Sequence, residues 1–225
     1  MPENQVRVHT HYLPPTTLIP NSPYPLLHYP ALLPNPHPSH IHTLFTTNAW
    51  KTHWIYRYGA TQKSHYHSSA HECMAVLTGT ATIRFGAGDT NPTCTDDDLA
   101  ASTHGPDHEA GGVEIQARAG DVFVVPAGVS HKTFDAKPQA EFALLTPGTG
   151  HGIEVAEGEG VEVGKVLEGV KLEGFTMIGS YPVGGEWDFC DGGEGEEKRR
   201  RAWGLPKPGS DPVLGMAGEG LCGLW

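Results

Sequence analysis

Residues 59–79 read GATQKSHYHSSAHECMAVLTG, and this stretch places two histidines two positions apart and a glutamate shortly after them. On a β-strand, side chains two apart point to the same face, so His65 and His67 can reach one ion. A short bend followed by a returning strand can bring the carboxylate of Glu72 to the same point. Two imidazoles and a carboxylate are a suitable ligand set for a divalent transition metal. Taken alone, such a pattern more often belongs to surface histidines in a polar hairpin than to a metal site.

A second stretch, residues 120–135, reads GDVFVVPAGVSHKTFD. Its apolar run predicts a strand, and the Pro126-Ala127-Gly128 sequence predicts a turn that ends it. His131 follows this turn, which points its side chain to one side. A single histidine after a turn is more often structural than ligating, but together with the first stretch it supplies a third imidazole.

In combination, the two stretches resemble the two motifs of the cupin superfamily. The first motif has the order Gly, His-x-His, Glu, Gly, and it is matched by Gly59, His65, His67, Glu72 and Gly79. The second motif has the order Gly, Pro-x-Gly, His, Asn, and it is matched by Gly120, Pro126, Gly128 and His131. The final asparagine is replaced here by Asp135, a position that is not a metal ligand in the family.

The surrounding sequence is similar to the YjlB-like cupins over residues 65–72, 179–188 and 205–215. This resemblance implies an all-β fold, a double-stranded β-helix or jelly-roll barrel, with a proline-rich N-terminal arm and a short helix. It implies a small-molecule ligand or substrate and commonly a homodimer. It also implies that one divalent metal is held by four residues, namely His65, His67, Glu72 and His131.

Three imidazoles and one carboxylate suit Fe(II), Mn(II), Ni(II), Cu(II) or Zn(II), and the sequence does not choose among them. The leading functional hypothesis is a metal-dependent oxygenase that acts on a small molecule. The alternatives are a non-redox isomerase or lyase and a ligand-binding cupin without turnover. No catalytic residue beyond the ligands is assigned.

The composition agrees with a β-rich chain, because Gly 29 and Pro 19 are many for a helical protein of 225 residues. We predict an arm over residues 1–50, with a short helix at His40–Trp50 capped by Ser39, and a barrel over residues 51–225. Insertions are predicted near residues 86–112 and 147–173, and the apolar tail end is predicted to dock on the body. The predicted strands are Trp54–Tyr58, Met74–Thr78, Thr80–Phe85, Val113–Ala117, Asp121–Val125, Glu141–Thr146 and Phe175–Tyr181.

The net charge, the hydropathy and the cysteines of the chain indicate which binding partners and which cellular compartment to expect. The net charge of −11 disfavours nucleic-acid binding, and no apolar run is long enough for a membrane span. The four cysteines are scattered, and the first residues lack the pattern of a secretory signal. A cytoplasmic protein is therefore expected.

Several further residues lie near the predicted site or resemble ligands. We expect His71 to face away from the metal, because it precedes Glu72 on the same strand. His104 and His108 are assigned to a polar loop, and the histidines of the arm receive no assignment. The candidates for the pocket wall are Tyr56, Tyr58, Phe123, Phe134 and Tyr181.

Overall fold

Antiparallel β-strands dominate the computed structural model, which describes residues 6–91, 101–155 and 162–225. The strands are β1 (His9–His11), β2 (Leu26–Tyr29), β3 (Trp50–Tyr58), β4 (Glu72–Thr78), β5 (Thr80–Phe85), β6 (Val113–Arg118), β7 (Val122–Val125), β8 (His131–Lys137), β9 (Ala143–Leu144) and β10 (Phe175–Pro182). The helices with defined bounds are α1 (Pro38–Thr47), α2 (Val163–Glu168), α3 (Glu196–Trp203) and α4 (Leu221–Leu224). Residues 101–104 are also helical, so His104 lies in a helix and not in the predicted loop. None of the helices in these described ranges is long and apolar enough to cross a bilayer.

The strands form two antiparallel sheets that face each other. The larger sheet has the order β1-β2-β7-β4-β10-β3-β9, and the smaller one has the order β6-β5-β8. This arrangement confirms the all-β, double-sheet fold that the sequence predicts.

Alternation along β4 divides the apolar residues between two layers, because successive side chains of a strand point to opposite faces. Met74 and Val76 belong to the core that also holds Phe85 of the smaller sheet. Cys73, Ala75 and Leu77 pack on the outer face of the larger sheet, with α1 and the tail. The apolar tail end therefore docks as predicted, with Leu221 fully buried.

The N-terminal segment contributes strands to the larger sheet. Leu26 and Leu27 are fully buried on its two faces, and β2 pairs with β7 through Leu27 and Val124. Ile19 is buried against Tyr66. The division of the chain at residue 50 and the insertion boundaries stay predictions.

The short helix begins and ends earlier than predicted. It spans Pro38–Thr47 with His37 at the N-cap position, so Ser39 lies inside the helix and does not cap it. Proline is favoured in the first helical turn, because its fixed φ fits and its missing N–H would have no partner there. Ala49 has a φ of 59°, which ends the helix, and Trp50 already belongs to β3.

One predicted strand is shorter than expected, and three strands, β1, β2 and β8, were not predicted. The strand predicted over Glu141–Thr146 is reduced to Ala143–Leu144, which pairs only with Tyr56 and Arg57 at the sheet edge. β8, which begins at His131, was not among the predicted strands. Its polar residues give no apolar alternation, although most of them are buried between β5 and the preceding loops.

Gly179 on β10 provides the space that the indole of Trp54 occupies on β3. A Cβ added at Gly179 would lie 2.1 Å from Cζ2 of Trp54, so the ring would have to move. We expect Gly179→Ala to lower the free energy of unfolding by about 1–3 kcal/mol, the usual range for overpacking a core. Urea unfolding measures this loss.

The matched control is Gly209→Ala, because an added Cβ there meets nothing within 4 Å. Its unfolding midpoint is expected to correspond to a change within about 0.5 kcal/mol. Equal midpoints for the two variants would contradict the proposed role of Gly179.

Candidate metal centre

The two motif stretches are joined by backbone hydrogen bonds. His65 donates from its N–H to the carbonyl of His131 at 3.2 Å, and the N–H of His131 donates back at 2.8 Å. The N–H of Gly128 donates to the carbonyl of His67 at 2.8 Å. Gly128 has a φ of 90°, a conformation that favours glycine and turns the chain toward His131. The local turns therefore position both histidine segments side by side.

The structure brings the four predicted residues together. Each of His65, His67 and His131 offers a ring nitrogen, and the three nitrogens lie within 4.8 Å of one another. Oε1 of Glu72 lies 3.4 Å from Nε2 of His67, and Oε2 lies 3.5 Å from Nε2 of His131. Glu72 is 1% exposed, so its carboxylate is withdrawn from solvent.

Hydrogen bonds orient two of the imidazoles toward the centre. Nδ1 of His65 donates to the carbonyl of Lys63 at 3.1 Å, and Nδ1 of His67 donates to the carbonyl of Asp188. Each bond fixes the tautomer that leaves Nε2 with a free lone pair. That is the arrangement that metal-ligating histidines adopt.

The charge state of the cluster also fits a cation. Burial lowers the pKa of His65 well below its ordinary value and that of His131 to about 4, so both rings are neutral. Burial opposes ionisation of Glu72, but His67, His131 and a hydrogen bond from Tyr181 outweigh it and lower the pKa of Glu72 to about 2. Burial also opposes protonation of His67, whose pKa Glu72 nevertheless raises.

Glu72 carries a buried oxygen without a hydrogen-bond partner. The hydroxyl of Tyr181 donates to Oε1, and Trp54 Nε1 donates to that hydroxyl at 3.2 Å. Oε2 of Glu72 is buried and accepts no hydrogen bond from the described residues. An unsatisfied buried carboxylate oxygen beside imidazole nitrogens is a donor set that fits a divalent cation.

Asp188 stabilises the loop between the two predicted ligands His67 and Glu72 through hydrogen bonds. Its carboxylate accepts the N–H groups of Ser68 and Ser69 at 2.7 and 3.1 Å, and the ammonium of Lys198 at 2.7 Å. Burial opposes ionisation of Asp188, but these hydrogen bonds hold its pKa well below its usual range. No role was predicted for Asp188, although this residue lies in a stretch that resembles the YjlB-like cupins.

A cavity of about 370 Å³ opens onto the cluster. Its walls are largely aromatic, and the aromatic lining residues are Trp54, Tyr56, Tyr58, Phe142, Tyr181, Trp187 and Phe189. Tyr56, Tyr58 and Tyr181 were predicted there. The prediction was wrong for Phe123, which stacks on His28 4.7 Å away, and for Phe134, which lies under the guanidinium of Arg84.

The neighbouring histidines lie outside the cluster. Nδ1 of His71 accepts the N–H of Ala127 at 3.0 Å, and its ring packs against Trp225, on the side away from the cavity. His104 lies 3.1 Å from the carboxylate of Asp135 on the surface. Asp135 has a φ of 54°, a left-handed conformation that Asn and Asp tolerate, which explains why Asp can replace the Asn of the second motif.

The cupin family model matches residues 37–162, more than half of the chain, and this range contains all four predicted ligands. The chain belongs to the cupin family. A relative, the uncharacterized protein YjlB of Bacillus subtilis (strain 168), is 25% identical over 222 residues, covering 96% of this chain and 95% of the relative. The predicted likeness to YjlB is therefore confirmed.

Solved structures similar to this cupin include a vicilin and an 11S globulin. Vicilin from hazelnut, Corylus avellana, is 12% identical with a TM-score of 0.29, and the match covers 72% of this chain and 30% of vicilin. Procruciferin, the 11S globulin of Brassica napus, is 11% identical with a TM-score of 0.29, and the match covers 80% of this chain and 33% of that protein. The chain thus spans about a third of these structures.

The cysteines of this cupin are free thiols where they are described, at Cys73, Cys190 and Cys222. Cys94 lies outside the described residues, as does the acidic run 96–98 in the predicted insertion.

Proposed function

We propose that this cupin is a small-molecule enzyme that uses one divalent transition metal, held by His65, His67, Glu72 and His131. The observation that carries the proposal is the convergence of three imidazoles and a buried carboxylate at the inner end of an aromatic cavity. A bound ion would supply Lewis acidity and, if redox-active, a route for electrons to dioxygen.

The cavity indicates the class of substrate. Its volume of about 370 Å³ suits a molecule of the size of one or two rings. Tyr56 and Phe142 stack at 5.2 Å on one wall, and His151 stacks on Trp187 at 4.1 Å beside the cavity. Such surfaces favour a flat apolar or aromatic body.

Acid–base considerations favour an oxygenase over an isomerase or lyase. Proton transfer needs groups that titrate near the working pH. Outside the proposed ligands, the lining includes three tyrosines, Tyr56, Tyr58 and Tyr181, and burial raises the pKa of each. These phenols are therefore poor bases at neutral pH. A reaction driven by dioxygen depends less on side chains that transfer protons.

The proposal is tested by metal analysis of the full chain, purified without chelator, beside a His65→Ala/His67→Ala variant. We expect the variant to carry about one metal equivalent less than the parent protein. The control is His40→Ala, an exposed histidine in the N-terminal segment, which should leave the metal content unchanged. Iron-loaded protein should then consume oxygen with a panel of small phenols and aromatic carboxylic acids, and the double variant should not.

Each result decides part of the proposal. An unchanged metal content in the double variant would overturn the central site. A central site that takes only zinc would overturn the oxygenase and favour the isomerase or lyase. An iron-loaded protein that binds aromatic acids without oxygen uptake would favour the non-catalytic ligand-binding cupin.

The homodimer implied by the family resemblance also stays a proposal. Light scattering coupled to gel filtration should give twice the chain mass of 24.2 kDa. A mass of one chain would contradict it.

A further inference from the structure

A second group of histidines lies on the paired strands β1 and β2, away from the residues of the central site. His9 and His11 are two apart on β1, and His28 on β2 is the direct partner of His9 in the antiparallel register. Directly paired residues, and residues two apart on one strand, share a face of the sheet. Ring nitrogens of all three residues lie within 4.8 Å of one another.

One of these imidazoles carries a buried nitrogen without a partner. Nε2 of His11 is buried and has no hydrogen bond among the described residues. Leaving such an atom unsatisfied costs about 1–3 kcal/mol, so a ligand that engages it would be stabilising. His28 is 6% exposed, so its ring is also withdrawn from solvent.

The protein holds His28 in place from two sides. Its ring stacks on Phe123 at 4.7 Å with an interplanar angle of 9°, and Oδ2 of Asp121 lies 3.5 Å from its Nε2. Asp121 is 1% exposed, and its Oδ1 accepts the N–H of Ala31 at 2.8 Å. A carboxylate at one ring nitrogen leaves the other nitrogen for a metal ion, and metal-ligating histidines commonly have this arrangement.

The electrostatic surroundings favour neutral rings. Burial lowers the pKa of His9 and of His11, and the neighbouring His28 adds to the effect for both. Neutral imidazole is the form that binds a metal ion. Arg7 also lowers the pKa of His9 and would repel a cation, whereas the carboxylate of Asp121 offsets that repulsion.

We propose that His9, His11 and His28 form a second metal site, with Zn(II) as the favoured ion and Asp121 as the adjacent carboxylate. Tetrahedral Zn(II) with nitrogens at about 2.0–2.1 Å places its ligands about 3.4 Å apart. The observed spread of up to 4.8 Å needs only small side-chain rotations to reach that geometry. The ion would fasten the three-residue edge strand β1 to β2, so its role is structural.

This site is independent of the proposed function, because it shares no residue with the central cluster. The test therefore uses the full chain carrying His65→Ala/His67→Ala, stripped with a chelator and titrated with Zn(II) by calorimetry. We expect about one equivalent to bind. Titration with Co(II) should give the visible absorption of a tetrahedral ion with nitrogen ligands.

The decisive variant carries His11→Gln in addition to His65→Ala/His67→Ala. His11 is half-buried on the edge strand, where a glutamine side chain can be accommodated. We expect Zn(II) affinity to fall by more than about 100-fold, beyond the loss seen when only an outer partner is removed. The matched control is His40→Gln, an exposed histidine in the same segment, which should leave the affinity unchanged. Urea unfolding of each metal-free protein verifies the fold.

A second measurement keeps the test valid if the parent double variant folds poorly. In the otherwise unmodified chain, Zn(II) should slow amide exchange at residues 9–11, and His11→Gln should remove that protection. Absence of Zn(II) binding in the His65→Ala/His67→Ala protein, or equal affinity with and without His11→Gln, would overturn the second site. Neither result bears on the central site.

Discussion

Glu72→Gln is expected to weaken metal binding at the central site by more than about 100-fold, because it removes the proposed anionic ligand. The amide also places a nitrogen near His67 and His131, whose Nε2 atoms lie 3.4 and 3.5 Å from the present carboxylate. The measurement is a competition titration with a chromophoric chelator. It uses a His11→Gln background, so that the proposed second site does not contribute.

The stability of the metal-free protein changes in parallel. His67, His131 and Tyr181 stabilise the charge of Glu72, and removing one partner of a buried charged cluster is destabilising. We therefore expect Glu72→Gln to lower the free energy of unfolding by about 1–3 kcal/mol, the cost of leaving buried polar groups without their partner. The matched variant is Tyr181→Phe, which removes the hydroxyl that donates to Glu72 but no ligand. It should weaken binding by about 10–100-fold. Glu72→Gln with an affinity equal to that of the parent would exclude Glu72 as a ligand.

Asp211→Ala is expected to destabilise the protein by about 3–5 kcal/mol, the range for breaking a buried charged hydrogen-bond network. Asp211 is 0% exposed and joins three segments. Its Oδ2 accepts the hydroxyl of Tyr29 at 2.5 Å and the N–H of Leu221 at 2.8 Å, and its Oδ1 accepts the N–H of Val213 at 2.9 Å. Alanine leaves these donors buried without an acceptor.

Urea unfolding at neutral pH measures the loss, with the slope checked for two-state behaviour. The matched control is Asp191→Ala, since Asp191 forms an exposed ion pair with Lys63 at 2.6 Å. Exposed pairs contribute about 0–1 kcal/mol, so this variant should unfold close to the parent. A loss below about 1 kcal/mol for Asp211→Ala would contradict the network's role.

The sequence predicted a strand correctly where alternation and turn residues alone determine it. Thr80–Phe85 is β5 as predicted, because its residues alternate and Gly79 turns the chain with a φ of 75°. β8 escaped prediction because its polar residues are buried by long-range partners: Lys132 is 0% exposed and contacts Asp89 at 3.0 Å. An ion pair between distant residues leaves no periodic signal in the sequence.

The residues around the cavity were likewise predicted only in part. The spacing of His65, His67 and Glu72 indicated a shared site because strand alternation and a short bend are local properties. The aromatic wall comes from distant segments, so Phe142 and Phe189 were not predicted and Phe123 was misassigned. His67 meets the carbonyl of Asp188 across 121 positions of sequence, and no local rule anticipates that contact.

The histidines of the N-terminal segment show most clearly which contacts a local sequence pattern does not predict. His9-Thr10-His11 repeats the two-residue spacing of His65 and His67, yet the sequence supplied no third partner for it. Only the pairing of β1 with β2 sets His28 opposite His9. By itself the sequence determined the family, the all-β class and the four candidate ligands, because short-range spacing and turn residues encode them. The tertiary structure alone decided which distant side chains surround each cluster, because strand register and sheet order depend on the packing of the whole chain.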